Sequence, residues 1–176
     1  MSALKEVKVE SEVACISAEE FKQGMSAFPG AVNIVTTEVG NTKAGFTATA
    51  VCSVSDNPPT LLVCLNRGAS VHKIFSGSGS LVINTLGVGQ DNISNLFGGK
   101  APMDERFASA KWETLVTGSP VLIDAAVSFD CKITEVKCVA THDVIFCEVV
   151  GIKQKQQAGS LVYYQRGYHH LGEGNE

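Results

Sequence analysis

The sequence predicts a mainly β protein whose strands run antiparallel and close toward a barrel, with a few peripheral helices. Three observations predict it. Apolar, β-branched runs such as AVNIVTT, TLLVCLN, LVINTL and DVIFCEVVGIKQ recur along the chain, and such residues suit a pleated, half-buried surface. Successive runs are separated more by turn signals than by helices, which favours antiparallel neighbours over a parallel doubly wound sheet. The helical stretches are short, so they read as insertions on one side of the sheet.

Taken in order, residues 1–16 form a polar, mixed-charge leader, and residues 17–176 form one domain. SAEEFKQGMSAF predicts a helix. Ser17 and Glu20 make a capping box, Phe21, Met25 and Phe28 follow helical spacing, and Pro29-Gly30 stops the run. AVNIVTT, GFTATAVCSV and TLLVCLN each predict one strand, separated by Gly-Asn and Asn-Pro-Pro turns. ASVHKIFSGSG predicts a short helix ended by glycines, LVINTL a strand, and QDNISNLFGG a helix ended by Gly98-Gly99. APMDERFASAKWETLVTGSP reads as loop-rich. AVSFDCKITEVKCV, DVIFCEVVGIKQ and SLVYYQ are the strands of the last third.

Composition narrows function. The chain has 176 residues, 44% apolar and 18% charged, enough for a sizeable core. Fourteen basic residues against eighteen acidic ones leave a net charge of −4 with no basic stripe, which argues against a nucleic-acid partner. No apolar run has the length of a membrane span and the N-terminus lacks a signal-peptide pattern, so a cytoplasmic protein is expected. The six cysteines at 15, 52, 64, 131, 138 and 147 show neither C-x-x-C nor zinc spacing. They read as reduced thiols, most of them inside strands, and no metal is expected. There is no phosphate-binding G-x-x-x-x-G-K-[ST], no G-x-S-x-G and no H-E-x-x-H. Gly87-Val88-Gly89 is followed by Asn92 where a dinucleotide fingerprint has glycine.

Five stretches carry candidate chemistry. GFTATAVCSV gives up bulk at Thr47, Ala48, Thr49, Ala50 and Ser53. Small side chains either let a flat ligand approach the backbone or simply face water. Asn66-Arg67-Gly68-Ala69-Ser70 leads into a helix, as an anion site or as a plain N-cap at Ala69 or Ser70. LFGGKAPMDERF places Gly98-Gly99 at a helix end and Arg106 just beyond. Thr141-His142-Asp143 precedes a strand. RGYHHL offers Arg166, Tyr168 and His169 near the end.

Together and in this order, FKQGMSAFPGAVNIVTT, GFTATAVCSVSDNPPTLLVCLN, VINTL, LFGG…RF, TGSPVL, THDVIFCEV and LVYYQRGYH resemble the short-chain flavin reductase family, over Ser17 to Leu171. Members are the NAD(P)H-dependent partners of two-component flavin monooxygenases. The resemblance implies a split β-barrel homodimer that reduces FMN or FAD with NADH or NADPH and passes reduced flavin to a transient monooxygenase partner. It implies flavin contacts at Thr47, Ala48, Thr49, Ala50, Val51, Ser53, Val54 and Cys64. Further flavin contacts are implied at Asn66, Arg67, Ala69 and Ser70 near the ribityl phosphate, and at Phe97, Gly98, Gly99, Lys100 and Arg106. His142, Gly167, Tyr168 and His169 match positions near the nicotinamide nucleotide, with His142 in a positioning role. The family often has Ala where this chain has Gly98. A flavin-binding electron carrier without NAD(P)H reductase activity is the alternative.

Overall fold

Ser17 starts the chain's first helix by satisfying amides that a helix leaves free. In the computed structural model, which describes residues 15–156 and 159–172, Ser17 Oγ accepts the Glu20 amide at 3.2 Å and the Glu20 carboxylate accepts the Ser17 amide at 2.8 Å. The helix, α1, spans Ala18–Ser26 and buries none of its residues. Residues 1–14 of the expected leader lie outside the described residues.

The chain then forms β1 (Gly30–Ala31), β2 (Asn33–Val39), β3 (Thr42–Ala48), β4 (Val51–Asp56) and β5 (Pro59–Asn66). Next come α2 (His72–Ser76), β6 (Ser80–Thr85), α3 (Asp91–Gly98) and α4 (Met103–Ala108). The strands β7 (Trp112–Glu113), β8 (Val121–Leu122), β9 (Val127–Val139), β10 (His142–Gln154), β11 (Ser160–Tyr164) and β12 (Gly167–Leu171) complete it. Seven strands form one sheet in the order β3-β2-β6-β9-β10-β5-β4, and every pairing in it is antiparallel. A smaller sheet has the order β1-β11-β12.

Three local expectations change. AVNIVTT breaks at Val32, because Val32 bonds sideways. Its amide donates to Leu161 at 3.0 Å, its carbonyl accepts from Leu86 at 2.8 Å, and Leu161 donates to Leu86 at 2.9 Å. That ring of three bonds links the two sheets. GFTATAVCSV is two strands, not one. Thr49 and Ala50 leave the ladder, with the Val51 amide donating to Thr49 at 2.9 Å and the Cys64 amide to Ala50 at 3.1 Å. β3 lies at one edge of the large sheet and β4 at the other. Three virtual Cα bonds from Ala48 to Val51 reach at most about 11 Å. The sheet must therefore roll until its edges nearly meet. No ladder pairs β3 with β4, so the barrel is split.

The third change concerns APMDERFASAKWETL. It contains α4 and β7 because aromatic packing selects them. Phe97, Phe107 and Trp112 stack with centroids 4.9–5.7 Å apart, and Trp112 Nε1 donates to Phe107 O at 2.9 Å. Neither signal is periodic in sequence.

Two apolar clusters hold the fold. Val35, Val63, Leu65, Leu81, Ile83 and Phe75 fill one, while Val32, Ile34, Leu86, Phe97, Leu122 and Leu161 fill the other. Neighbours Ile34 and Val35 point to opposite faces of β2, as the period of two requires, and both are fully buried. Buried Asn84 is satisfied at both ends of its amide. Its nitrogen donates to Ile34 O at 3.0 Å and to Thr36 Oγ1 at 3.1 Å, and its oxygen accepts from Leu122 N and Ser128 Oγ, each at 2.8 Å.

Gly45 lets α3 seat on β3. A Cβ there would meet the Phe97 ring at 2.7 Å and Val35 O at 3.2 Å. Gly45→Ala is therefore expected to destabilise the fold by about 1–3 kcal/mol, read as a lower urea midpoint; an unchanged midpoint would show that the ring yields freely.

Candidate functional site

The break at Thr49-Ala50 builds the site. A residue without ladder partners on both sides leaves its backbone accessible, and here Thr49 and Ala50 are exposed while Ala48 before them is buried. Their small side chains form one wall of a cavity of about 590 Å³. A pocket of that size suits a small organic ligand.

The opposite wall comes from α3 and the turn after it. Thr47 Oγ1 donates to Ser94 O at 2.8 Å, tying α3 to the edge strand. Gly99 closes the helix, and a Cβ there would meet Asn95 O at 2.9 Å. Arg106 is 7% exposed. It reaches back from α4 and donates to four carbonyls: Nε to Ala101 at 2.8 Å, Nη1 to Phe97 at 2.9 Å and Gly45 at 3.4 Å, and Nη2 to Gly99 at 2.8 Å. Its charge lies against the negative end of α3.

A third side follows β5. Asn66 Oδ1 accepts the Gly68 amide at 2.8 Å and its carbonyl accepts the Ala69 amide at 3.0 Å, which folds the chain into a tight turn. Ser70 does not cap the following helix: Val71 holds the N-cap position without a side-chain bond. Ser70 and Lys100 line the cavity.

His142 opens β10 directly opposite Asn66. Its Nδ1 lies 2.9 Å from Thr141 Oγ1, and its ring lines the same cavity. Cys64 lines it too. Burial, with Cys52 nearby, pushes the Cys64 thiol up, so it stays protonated and is a poor nucleophile.

The structure thus gathers Thr47, Ala48, Thr49, Ala50, Cys64, Asn66, Ala69, Ser70, Phe97, Gly98, Gly99, Lys100, Arg106 and His142 around one cavity. Other expected residues lie elsewhere. Val51 and Ser53 line a separate groove behind the connector, and Val54 sits 48% exposed on β4. Arg67 turns outward. Its Nη1 donates to Cys138 Sγ at 2.9 Å, and Nε stands 4.0 Å from Asp143 Oδ1. Tyr168 lies in a neighbouring cavity of about 490 Å³ that shares Thr47, Thr49, Gly98 and Gly99 with the first. Its hydroxyl bonds Ser94 Oγ at 2.8 Å and Asn95 Oδ1 at 3.0 Å. Gly167 and His169 flank it on β12 without lining either cavity.

Ser94 and Asn95 were not anticipated. Ser94 stands four residues before Gly98 on one helix, so it shares a face with that glycine, a spacing legible in QDNISNLFGG. Phe46 was also missed. Its ring packs edge-on against Phe75 at 5.1 Å and looks like core from sequence. Among the described residues no cluster could hold a metal ion, and no helix is long and apolar enough to cross a membrane.

The flavin reductase like domain family matches residues 25–172. The chain is 54% identical over 159 residues to the FMN reductase (NADH) RutF of Pseudomonas syringae pv. syringae strain B728a, covering 90% of this chain and 89% of that one. A solved flavin reductase candidate from Haemophilus somnus 129pt superposes with a TM-score of 0.87 at 46% identity, covering 89% of this chain and 100% of that one. The flavin reductase PheA2 superposes with a TM-score of 0.80 at 28% identity, covering 89% and 99%. A rolled antiparallel sheet, a small-residue cavity wall and a family match across most of the length place this chain in the flavin reductase like domain family.

Proposed function

We propose that the protein is an NADH-dependent FMN reductase that supplies reduced flavin to a partner monooxygenase. One observation carries this reading: the connector Thr49-Ala50 and its neighbours Thr47 and Ala48 present a low-volume wall to a cavity of about 590 Å³. The relative that is 54% identical, an FMN reductase (NADH), supports the choice of both nucleotides.

The residues present fit a flavin. The side chains at Ala48, Thr49, Ala50, Gly98 and Gly99 leave a slot for a planar ring. Among the described residues, the Ser70 hydroxyl and Lys100 ammonium have no protein partner, so both are available to a phosphate. A bound flavin supplies N5 as the hydride acceptor for C4 of a reduced nicotinamide. The protein's part is to hold two rings at near-attack distance, roughly 3–3.5 Å. No protein nucleophile is required, consistent with the protonated Cys64 thiol.

His142 positions a ligand edge. When Thr141 donates to Nδ1, the neutral ring carries its proton on Nε2, which is free among the described residues to donate to a ligand carbonyl. Tyr168, held by Ser94 and Asn95, fixes one wall of the neighbouring cavity.

A second copy of the chain covers α1. Phe21, Met25 and Phe28 are 58%, 47% and 69% exposed, an exposed apolar cluster of the kind found at interaction surfaces. They line one groove with Thr49, Ala50 and Tyr163, so a partner seated there abuts the flavin cavity. Sedimentation at micromolar concentration is expected to give twice the 18.6 kDa chain mass; an active monomer would contradict it.

The test of function is anaerobic mixing of protein, FMN and NADH. Rapid, protein-dependent loss of flavin absorbance is expected. Flavin binding without bleaching, with NADH or NADPH, would instead mark an electron carrier. His142→Ala is expected to lower kcat/KM for the nucleotide about ten- to a hundred-fold, the worth of one lost positioning bond, with flavin affinity and Tm near wild type. A large fall in Tm with normal turnover would make His142 structural.

A further inference from the structure

Arg106 carries a buried charge, yet among the described residues no carboxylate lies within ion-pair distance of it. A guanidinium has five N–H donors. Four of its hydrogen bonds go to main-chain carbonyls at Gly45, Phe97, Gly99 and Ala101. Three of these acceptors belong to one stretch, Phe97 to Ala101, which runs from the last residues of α3 into the turn after it. The fourth belongs to the edge strand β3. Gly98, Gly99 and Lys100 of that stretch line the cavity, and Gly98 and Gly99 line its neighbour as well.

We propose that Arg106 is a positioning residue for flavin: its guanidinium sets the shape of the Phe97–Ala101 stretch, and flavin is recognised through that stretch and not through the arginine charge. The proposal rests on the flavin reading above and deepens it. The chemistry suits the role. The last carbonyls of a helix have no partner within the helix, and a glycine pair does not hold a single conformation by itself. The planar fork supplies several donors at fixed angles, which an ammonium cannot do. The link to Gly45 O fastens the turn to the edge strand, two residues before Thr47. One side chain therefore sets the separation of the cavity's two walls. Spending four hydrogen bonds on carbonyls leaves one N–H, too little for a bidentate grip on phosphate.

Two ligands and two variants test this. Arg106→Lys keeps the charge and loses the fork. It is expected to weaken binding of FMN and of riboflavin, which lacks the phosphate, by the same factor of about ten to a hundred. Hydrogen exchange of the ligand-free variant is expected to rise in residues 94–101 and stay unchanged in the β9–β10 hairpin. Gly99→Ala leaves Arg106 intact but forces a Cβ to 2.9 Å from Asn95 O. It is expected to weaken both ligands equally too, and it decides the matter if Arg106→Lys does not fold. Arg106→Lys with wild-type affinity for both ligands would overturn the proposal. So would a loss confined to FMN, which would mean that the charge grips the phosphate. Unchanged exchange in residues 94–101 would overturn it as well. Wild-type protein that binds neither ligand would instead refute the flavin reading, and the exchange experiment would still judge the clamp.

Discussion

Two residues tie together the opposite edges of a seven-stranded sheet, and the rest of the structure depends on that tie. β3 and β4 are consecutive in the chain and outermost in the sheet. A connector limited to Thr49 and Ala50 can join them only if the sheet curls, with a twist of the hand that strands favour. Closure by covalent chain instead of a hydrogen-bonded ladder leaves backbone on display at the seam. In a closed barrel those amides and carbonyls would be spent on a neighbour. Here the carbonyls of Thr49 and Ala50 accept from Val51 and Cys64, while among the described residues their amides have no main-chain partner and stay available to a ligand. Fold and site share one cause.

The small residues of β3 serve two masters on two faces. Gly45 has no side chain because Phe97 of α3 presses on it at a distance no Cβ would tolerate. Thr47 fastens α3 through Ser94 O. Past Ala48 the same economy of volume faces the cavity. α3 is thus both a packing element and a wall, and Arg106 fixes where that wall ends. The residues that line the cavity sit on a scaffold braced by buried, fully satisfied polar groups such as Asn84, which is how a site gains precision.

Much of this was legible in the sequence, for identifiable reasons. Ser17 and Glu20 gave the first helix because capping is a local interaction. Strand runs such as LVINTL and DVIFCEVVGIKQ were legible because burial on the pleat selects their side chains. The break at Thr49-Ala50 was not, since nothing within GFTATAVCSV says that its halves belong to different edges. Only the long-range order of the sheet says so. The helix Met103–Ala108 was hidden because its cause is the ring cluster of Phe97, Phe107 and Trp112, separated in sequence. The gathering of Asn66, Phe97 and His142 around one cavity came from likeness of motif order, not from periodicity. Arg67 shows the limit of such likeness. Its neighbours Asn66 and Gly68 line the cavity, but its side chain turns out to Cys138 and Asp143. A motif fixes the course of the backbone more firmly than the direction of each side chain.

The most direct measurement of the central claim is flavin affinity against folding stability in Thr49→Leu. Thr49 is exposed at the seam and lines both cavities, so a larger side chain there takes volume from the ligand and not from the core. The expected result is FMN binding weakened by about ten- to a hundred-fold, the scale of an overpacked contact, with an unfolding free energy from urea denaturation within about 0.5 kcal/mol of wild type. Unchanged FMN affinity in the folded variant would contradict the account, because the seam would then not be where flavin lies.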